Sequence, residues 1–361
     1  MSDINEILNN VSPYALPKEE KSRLMNDVMR DLTLHHLKYC EPYRKMLLAQ
    51  GITENNVPYY TEIPFLPVRL FKEYELKSIP QEEVVKTMTS SGTTGQAVSK
   101  IYLDRETSAL QTKTLTKIVS DFIGKQRVPM LILDTSAVVK NRAMFSARGA
   151  GILGFSIIGS KKYYALDENM QLDVEGVKQF LTEHKGSPIF LFGFTFMIWQ
   201  YFYKQLKEEN ISLDLSKGIL IHGGGWKKLA NEQVSPNEFK AKLKEICGIE
   251  KVFDYYGMVE QTGSIYMECE HGHLHSSVFS DIIIRRSIDF SIANTGETGI
   301  VQVLSMLPKG YPGHSLLTED LGVLLGEDDC PCGRKGKYFK IIDRMQNAEI
   351  RGCSDTFNVK K

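Results

Sequence analysis

The sequence predicts an α/β fold: a mostly parallel sheet flanked by helices, followed by a smaller antiparallel β part. Two observations predict it. Between residues 128 and 257, short apolar runs alternate with polar, helix-forming stretches, and two of these runs end at glycine. From Gly263 onward, strand-like runs follow one another across turns with no long helix between them.

The elements follow in order. Glu19 to Lys38 is helix-forming, with Leu24, Val28, Leu32 and Leu37 near helical spacing, and Pro58, Pro64, Pro67 and Pro80 then break the chain into short pieces. Within that helix His35-His36 has no acidic or thiol neighbour and reads as surface. Val128 to Leu133 is a buried strand closed by Asp134, and Pro188 to Phe194 is another, running into an aromatic helix, Met197 to Leu206. Ile219 to His222 is a third strand, ending at Gly223, Gly224 and Gly225, and Val252 to Tyr256 is a fourth, ending at Gly257. A polar helix, roughly Glu232 to Cys247, joins the last two. Parallel sheets bind ligands beyond the carboxyl ends of their strands, which directs attention to these glycine turns. Val278 to Arg285, Gly299 to Leu304 and Leu316 to Leu325 then form an antiparallel sheet or small barrel. The expected organisation is a helical region over 1–80, an α/β core over 81–262, a β subdomain over 263–343, and a hinge remnant with a tail over 344–361.

Composition narrows the function. With 44 basic against 44 acidic side chains the formal charge is zero, so the chain has no net field to draw nucleic acid or anionic lipid. The longest uncharged apolar run, Ile189 to Trp199, is shorter than the ~20 residues a membrane helix needs. A polar, acidic start and six cysteines without a disulfide-like framework fit a cytoplasmic protein.

The segment Thr87 to Gly95 carries the most chemistry. Ser90, Ser91, Thr93 and Thr94 offer hydroxyls, while Gly92 and Gly95 let the backbone turn its N–H groups toward one point, an arrangement suited to a phosphate oxygen. No Gly-Lys-Ser/Thr closes the loop, so it is not a Walker A motif.

Ser90-Ser-Gly-Thr-Thr-Gly95 resembles the phosphate loop of the adenylate-forming enzymes, and further matches occur in order. Tyr256-Gly257-Met-Val-Glu260 is similar to the family's Tyr-Gly-x-Thr-Glu segment, whose acidic residue holds Mg2+. Asp320 matches the aspartate on the ribose hydroxyls, Arg344 the arginine before the interdomain hinge, and Gly223 to Gly225 the adenine strand. Val259 departs from the usual threonine. Within that superfamily the chain most resembles the LuxE-type acyl-protein synthetases, through Gly223-Gly-Gly-Trp-Lys227, Val259-Glu260 and a terminal Gly352-Cys353. Phenylacetate-CoA ligases share the helical preamble and the segments around Cys269 and Cys330, but continue into a lid domain. Nine residues follow Gly352, against roughly 100 for a small domain, so the expectation is an adenylating core without its C-terminal lid.

The resemblance implies ATP- and Mg2+-dependent activation of a carboxylic acid, in particular a fatty acid, to an acyl-adenylate. Cys353 then stands as the nucleophile that accepts the acyl group, and a partner acyl reductase as its destination. Two alternatives stay open: a lidless ligase using coenzyme A or a carrier-protein thiol, and an inactive nucleotide- or acyl-binding scaffold.

A second constellation combines Cys330-Pro-Cys332 with Cys269-Glu-His271-Gly-His-Leu-His275. Paired thiols beside a Cys/His cluster are zinc-type ligands. The expected set is Cys269, His271, Cys330 and Cys332, with His275 as a substitute, holding a structural Zn2+ that ties two strands together.

Overall fold

The computed structural model describes residues 4–90, 98–140 and 147–345. Contacts divide the chain into two compact units, Met1–Ile118 with Gly257–Glu349, and the intervening Val119–Tyr256. The antiparallel strands thus share a unit with the N-terminal helices, a grouping different from the four consecutive regions expected from the sequence.

In the first unit, the helix Lys18–Tyr39 starts with Glu19 and Glu20 and carries Lys38 in its last turn, charges that suit its dipole. Its buried residues Met25, Val28, Met29 and Leu32 recur three or four apart and pack with Tyr60, Ile63, Ile283, Leu304 and Met306. His36 continues that face, which overturns its reading as surface. It is fully buried, Nδ1 lies 2.7 Å from Ser78 Oγ, Nε2 lies 3.0 Å from the Pro308 carbonyl, and its ring stacks on His314. Short strands β1 (Leu66–Pro67), β2 (Lys86–Thr89) and β3 (Lys100–Leu103) follow, with β2 and β3 antiparallel.

The second unit contains β4 (Pro129–Thr135), β5 (Ser160–Leu166), β6 (Ile189–Phe194), β7 (Gly218–Gly223) and β8 (Lys251–Tyr256). They pair in parallel in the order β5-β4-β6-β7-β8. All of β6 and β7 is buried, as strands covered on both faces must be. Side chains alternate between the faces. Leu131, Leu133, Leu191 and Leu220 pack with Phe180, Phe202, Phe239 and Leu243 in one cluster. On the other face, Phe192 stacks on Phe155 of the helix Ala147–Ser156, with ring centroids 4.2 Å apart.

The helix Pro236–Cys247 shows how the sequence sets its ends. Ser235 accepts the Glu238 N–H at 3.2 Å, proline takes the first turn, and Gly248 stops the helix at a φ of 73°. The aromatic helix is less regular, with a π-helical Ile198–Tyr203 between two α-turns. At the carboxyl end of β4, Asp134 and Arg148 form a buried ion pair at 3.1 Å, and burial pushes the Asp134 carboxyl up to about 6.

The first unit resumes with β9 (Tyr266–Glu268), β10 (Leu274–His275), β11 (Ser280–Arg285), β12 (Thr298–Ser305), β13 (Ser315–Glu327) and β14 (Lys337–Arg344). These are antiparallel in the order β9-β10-β14-β13-β12-β11, and β1 adds to β13 in parallel. Its interior contains charge: Asp281 lies 2.7 Å from Lys337 Nζ, 3.6 Å from Lys21 Nζ, and accepts from the Tyr60 hydroxyl at 3.2 Å. No helix among the described residues is long and apolar enough to cross a membrane.

Candidate active site

In the first unit, the antiparallel strands β2 and β3 flank the Ser/Thr/Gly segment in sequence. Thr89 pairs with Lys100, and one step further Ser90 N–H donates to the Ser99 carbonyl at 3.2 Å while Ser90 Oγ accepts the Ser99 N–H at 2.9 Å. Ser90 thus closes the neck of the loop, and its own O–H proton stays available to donate. Ser91, Gly92, Thr93, Thr94 and Gly95 lie outside the described residues.

Glu260 sits in the short 3-10 turn Val259–Gln261 and is 1% exposed. Its backbone carbonyl accepts the Tyr311 hydroxyl at 2.9 Å, Gln261 donates to the carbonyls of Gly313 and Val303, and Thr262 Oγ1 donates back to the Val259 carbonyl. The turn is therefore held from three sides. At its exit, Gly263 has a φ of 90°, and an added Cβ would meet the Gln111 backbone at 2.6 Å.

Asp320 and Arg344, far apart in sequence, are direct cross-strand partners on β13 and β14. Thr318 Oγ1 accepts the Asp320 N–H at 3.1 Å, and Arg344 Nη2 donates to Glu319 Oε2 at 3.2 Å. Register brings these two expected site residues together.

In the second unit, the crest of β7 and β8 carries the next group. Parallel pairing sets His222 beside Asp254 and Gly223 beside Tyr255. The three glycines differ. A Cβ on Gly223 would strike the Tyr255 ring at 2.5 Å, and Gly224 needs a φ of 79°, but Gly225 is at ordinary angles and an added Cβ would meet nothing within 4 Å. Tyr256 ends β8 half-buried, and Gly257, assigned to the first unit, follows it in sequence and is exposed.

His222 Nδ1 lies 2.9 Å from Thr195 Oγ1, which also reaches the Gly223 carbonyl at 3.3 Å, and burial pushes the imidazole down to about 3, so the ring is neutral. Thr195 is the residue sequence reasoning overlooked. Its only signal is its place immediately after a buried strand.

The Cys/His residues converge in the first unit. Cys269, His275, Cys330 and Cys332 have ligand atoms within 4.8 Å of one another. The structure differs from the expected set at one position: His275 supplies the imidazole and His271 does not. The reason is local. Leu274 and His275 pair with β14, which fixes the His275 ring against Tyr338, whereas His271 rides the turn before β10 and contributes its backbone N–H to Cys269 Sγ at 3.4 Å. Cys353 lies outside the described residues. Cys40 and Cys247 are buried, as ordinary small hydrophobes would be.

The chain aligns over 98% of its length with long-chain-fatty-acid–luciferin-component ligases, at 23% identity to that of Aliivibrio fischeri (93% of it covered) and 21% to that of Vibrio harveyi (92% covered). The fold is similar to that of a 2-hydroxyisobutyryl-CoA ligase solved with its acyl-adenylate and CoA, with a TM-score of 0.71 at 14% identity, covering 92% of this chain and 77% of that one. A luciferase-like enzyme from Zophobas morio has a TM-score of 0.50 at 20% identity, covering 75% and 60% respectively. The architecture is that of the adenylate-forming ligases. The model of the acyl-protein synthetase family LuxE matches residues 1–361. The chain is therefore a ligase of the LuxE acyl-protein synthetase family.

Proposed function

We propose that the protein uses Mg2+-ATP to activate a long-chain fatty acid as its acyl-adenylate, transfers the acyl group to its own Cys353, and passes it on to a partner acyl reductase. The observation that carries the reading is the register placing Asp320 opposite Arg344, because the two residues that the family likeness assigns to the nucleotide become neighbours only through the fold.

The chemistry asks little covalent help of the protein. A carboxylate oxygen attacks the α-phosphorus and pyrophosphate leaves, so the site must position the reactants and neutralise charge. Within the first unit, the hydroxyl and N–H donors of Ser90 to Gly95 suit the phosphates, Asp320 suits the ribose hydroxyls, and Arg344 supplies a fixed positive charge. Glu260, an acidic group on a turn held from three sides, suits the magnesium that accompanies ATP. Within the second unit, the space beside Gly225 fits the close approach of a planar base to backbone. In the second step the Cys353 sulfur attacks the acyl carbonyl, AMP leaves, and the thiol proton passes to solvent.

The test is ATP–pyrophosphate exchange over a panel of fatty and aromatic acids, followed by intact-mass analysis. Long-chain acids are expected to drive exchange and leave one acyl group on the chain. The Cys353→Ser protein should still exchange pyrophosphate but retain no acyl chain. Full retention by that variant overturns the acceptor, and absence of exchange with every acid overturns the whole reading.

A further inference from the structure

The four converging ligands carry an inference independent of the ligase chemistry. We propose that Cys269, His275, Cys330 and Cys332 form a closed structural zinc site that fastens the β9–β10 hairpin to the β13–β14 connection.

Distances support a tetrahedron. With Zn–S of about 2.3 Å and Zn–N of about 2.0–2.1 Å, tetrahedral angles put two sulfurs about 3.8 Å apart and a sulfur and nitrogen about 3.5 Å apart. Cys269 Sγ and Cys330 Sγ are 4.0 Å apart, and Cys332 Sγ and His275 Nε2 are 3.4 Å apart. A disulfide would need about 2.0 Å between the sulfurs. These two pairs therefore stand near the separation of ligands sharing an ion, and all four ligand atoms lie within 4.8 Å of one another.

The backbone repeats one device on both sides. Cys269 and Cys330 each begin a turn whose glycine, three residues on, donates its N–H back to the cysteine carbonyl at 2.9 Å: Gly272 to Cys269 and Gly333 to Cys330. Both glycines have positive φ, 74° and 79°. Each turn folds back on itself and presents its first thiol to the same point. The His271 N–H directed at Cys269 Sγ is the donor a thiolate requires. Tyr338, opposite His275 in the register, stacks on the imidazoles of both His275 and His273 and holds them in place.

Three thiolates and one imidazole in a closed tetrahedron select zinc over hard, oxygen-seeking cations, and four protein ligands leave no position for a substrate, so the role is structural. On binding, three thiols release three protons and one Zn2+ takes their place, with no change of oxidation state. Cys269 and Cys330 stand 61 positions apart in the sequence, so the ion crosslinks segments that are distant in the chain.

The full chain, produced with zinc in the medium and purified under reducing conditions without chelators, should hold stoichiometric zinc by elemental analysis. Its cobalt-substituted form should show tetrahedral d–d and thiolate charge-transfer absorption. His275→Ala should weaken zinc in chelator competition by more than the roughly 100-fold that loss of an outer-shell partner costs. His271→Ala should keep full occupancy. Should His275→Ala fail to fold, Cys332→Ser in the cobalt form should lose charge-transfer intensity. Substoichiometric metal in the wild type, an octahedral cobalt spectrum, or loss of metal with His271→Ala in place of His275→Ala each overturns the site. These readouts do not involve activity, so they stand whether or not the chain forms acyl-adenylates.

Discussion

The two units are held together by different physics. The second unit packs a parallel sheet of Leu, Ile and Phe between helices, with apolar side chains on both faces. The first unit buries charge and polarity: Asp281 with Lys21 and Lys337, Arg285 Nε on Gln302 Oε1 at 2.7 Å, His36 stacked on His314, and the Cys/His cluster. Apolar packing loses free energy in proportion to the volume removed. A polar network loses most when one partner goes and another is stranded in low dielectric. Sensitivity to substitution should therefore follow partnership in the first unit and, apart from the buried Asp134–Arg148 pair, volume in the second.

The strongest test is Asp281→Ala. Burial opposes the charge on Asp281, but Lys337 and Lys21 outweigh it and hold the carboxyl below its ordinary range. Removing it leaves two ammonium groups facing each other beside Tyr60, at an expected cost of about 3–5 kcal/mol in urea unfolding. A loss below about 1 kcal/mol would mean the network is solvated and the contrast is false. Next comes Leu191→Ala in the middle of β6, fully buried among Leu131, Leu133 and Leu220. The cavity should cost about 2–5 kcal/mol, and Leu191→Met under about 1.5 kcal/mol, because volume is kept.

Acid sharpens the comparison further. His314, 3.1 Å from Thr33 Oγ1 and 3.3 Å from the Tyr43 hydroxyl, is pushed down to about 3 by burial, and His36 beside it is also held well below its ordinary value. Both rings stay neutral in the fold. Below about 6.5 the unfolded chain binds protons that the folded chain refuses, so stability is full above that pH and falls as pH drops toward 3. Each such histidine contributes a slope of about 1.4 kcal/mol per pH unit. The first unit carries this pair where the second carries His222, so amide exchange between pH 6 and 4 should accelerate more steeply in β11–β13 than in β4–β7. His314→Gln should flatten the first-unit profile, and an unchanged profile would remove the histidines as its cause.

The same contrast explains what could be read from sequence. The parallel strands were legible because strands covered on both faces are unbroken apolar runs, as in Ile189–Phe194. The helix Pro236–Cys247 ends where the sequence predicts, but it starts four residues after the expected Glu232, because the Ser235 cap and Pro236 set its first turn. Edge strand β5, Ser-Lys-Lys-Tyr-Tyr-Ala-Leu, opens with exposed lysines, and β9 and β10 are too short to show a period. The polar interior was harder still. His36 looks like surface until the helix face that carries Met25, Met29 and Leu32 is known to be buried. The sequence reading puts His271 first and His275 as its substitute, and only the pairing of Leu274 and His275 with β14 reverses that order. Asp320 and Arg344 were legible as motif residues, but their adjacency is a matter of register.

The smallest expected effect on stability is the most informative about function. Of the three glycines at the end of β7, Gly223 is required by the Tyr255 ring and Gly224 by its positive φ, so replacing either confounds folding with binding. Gly225 has neither constraint. Gly225→Ala should therefore change stability by less than about 0.5 kcal/mol, or raise it slightly by stiffening the unfolded chain. If the space beside it receives the nucleotide, the added methyl should nonetheless raise the KM for ATP in pyrophosphate exchange several-fold while leaving the response to fatty-acid chain length unchanged. An unaltered KM would show that the third glycine serves the chain alone, and would move the base away from the crest of β7.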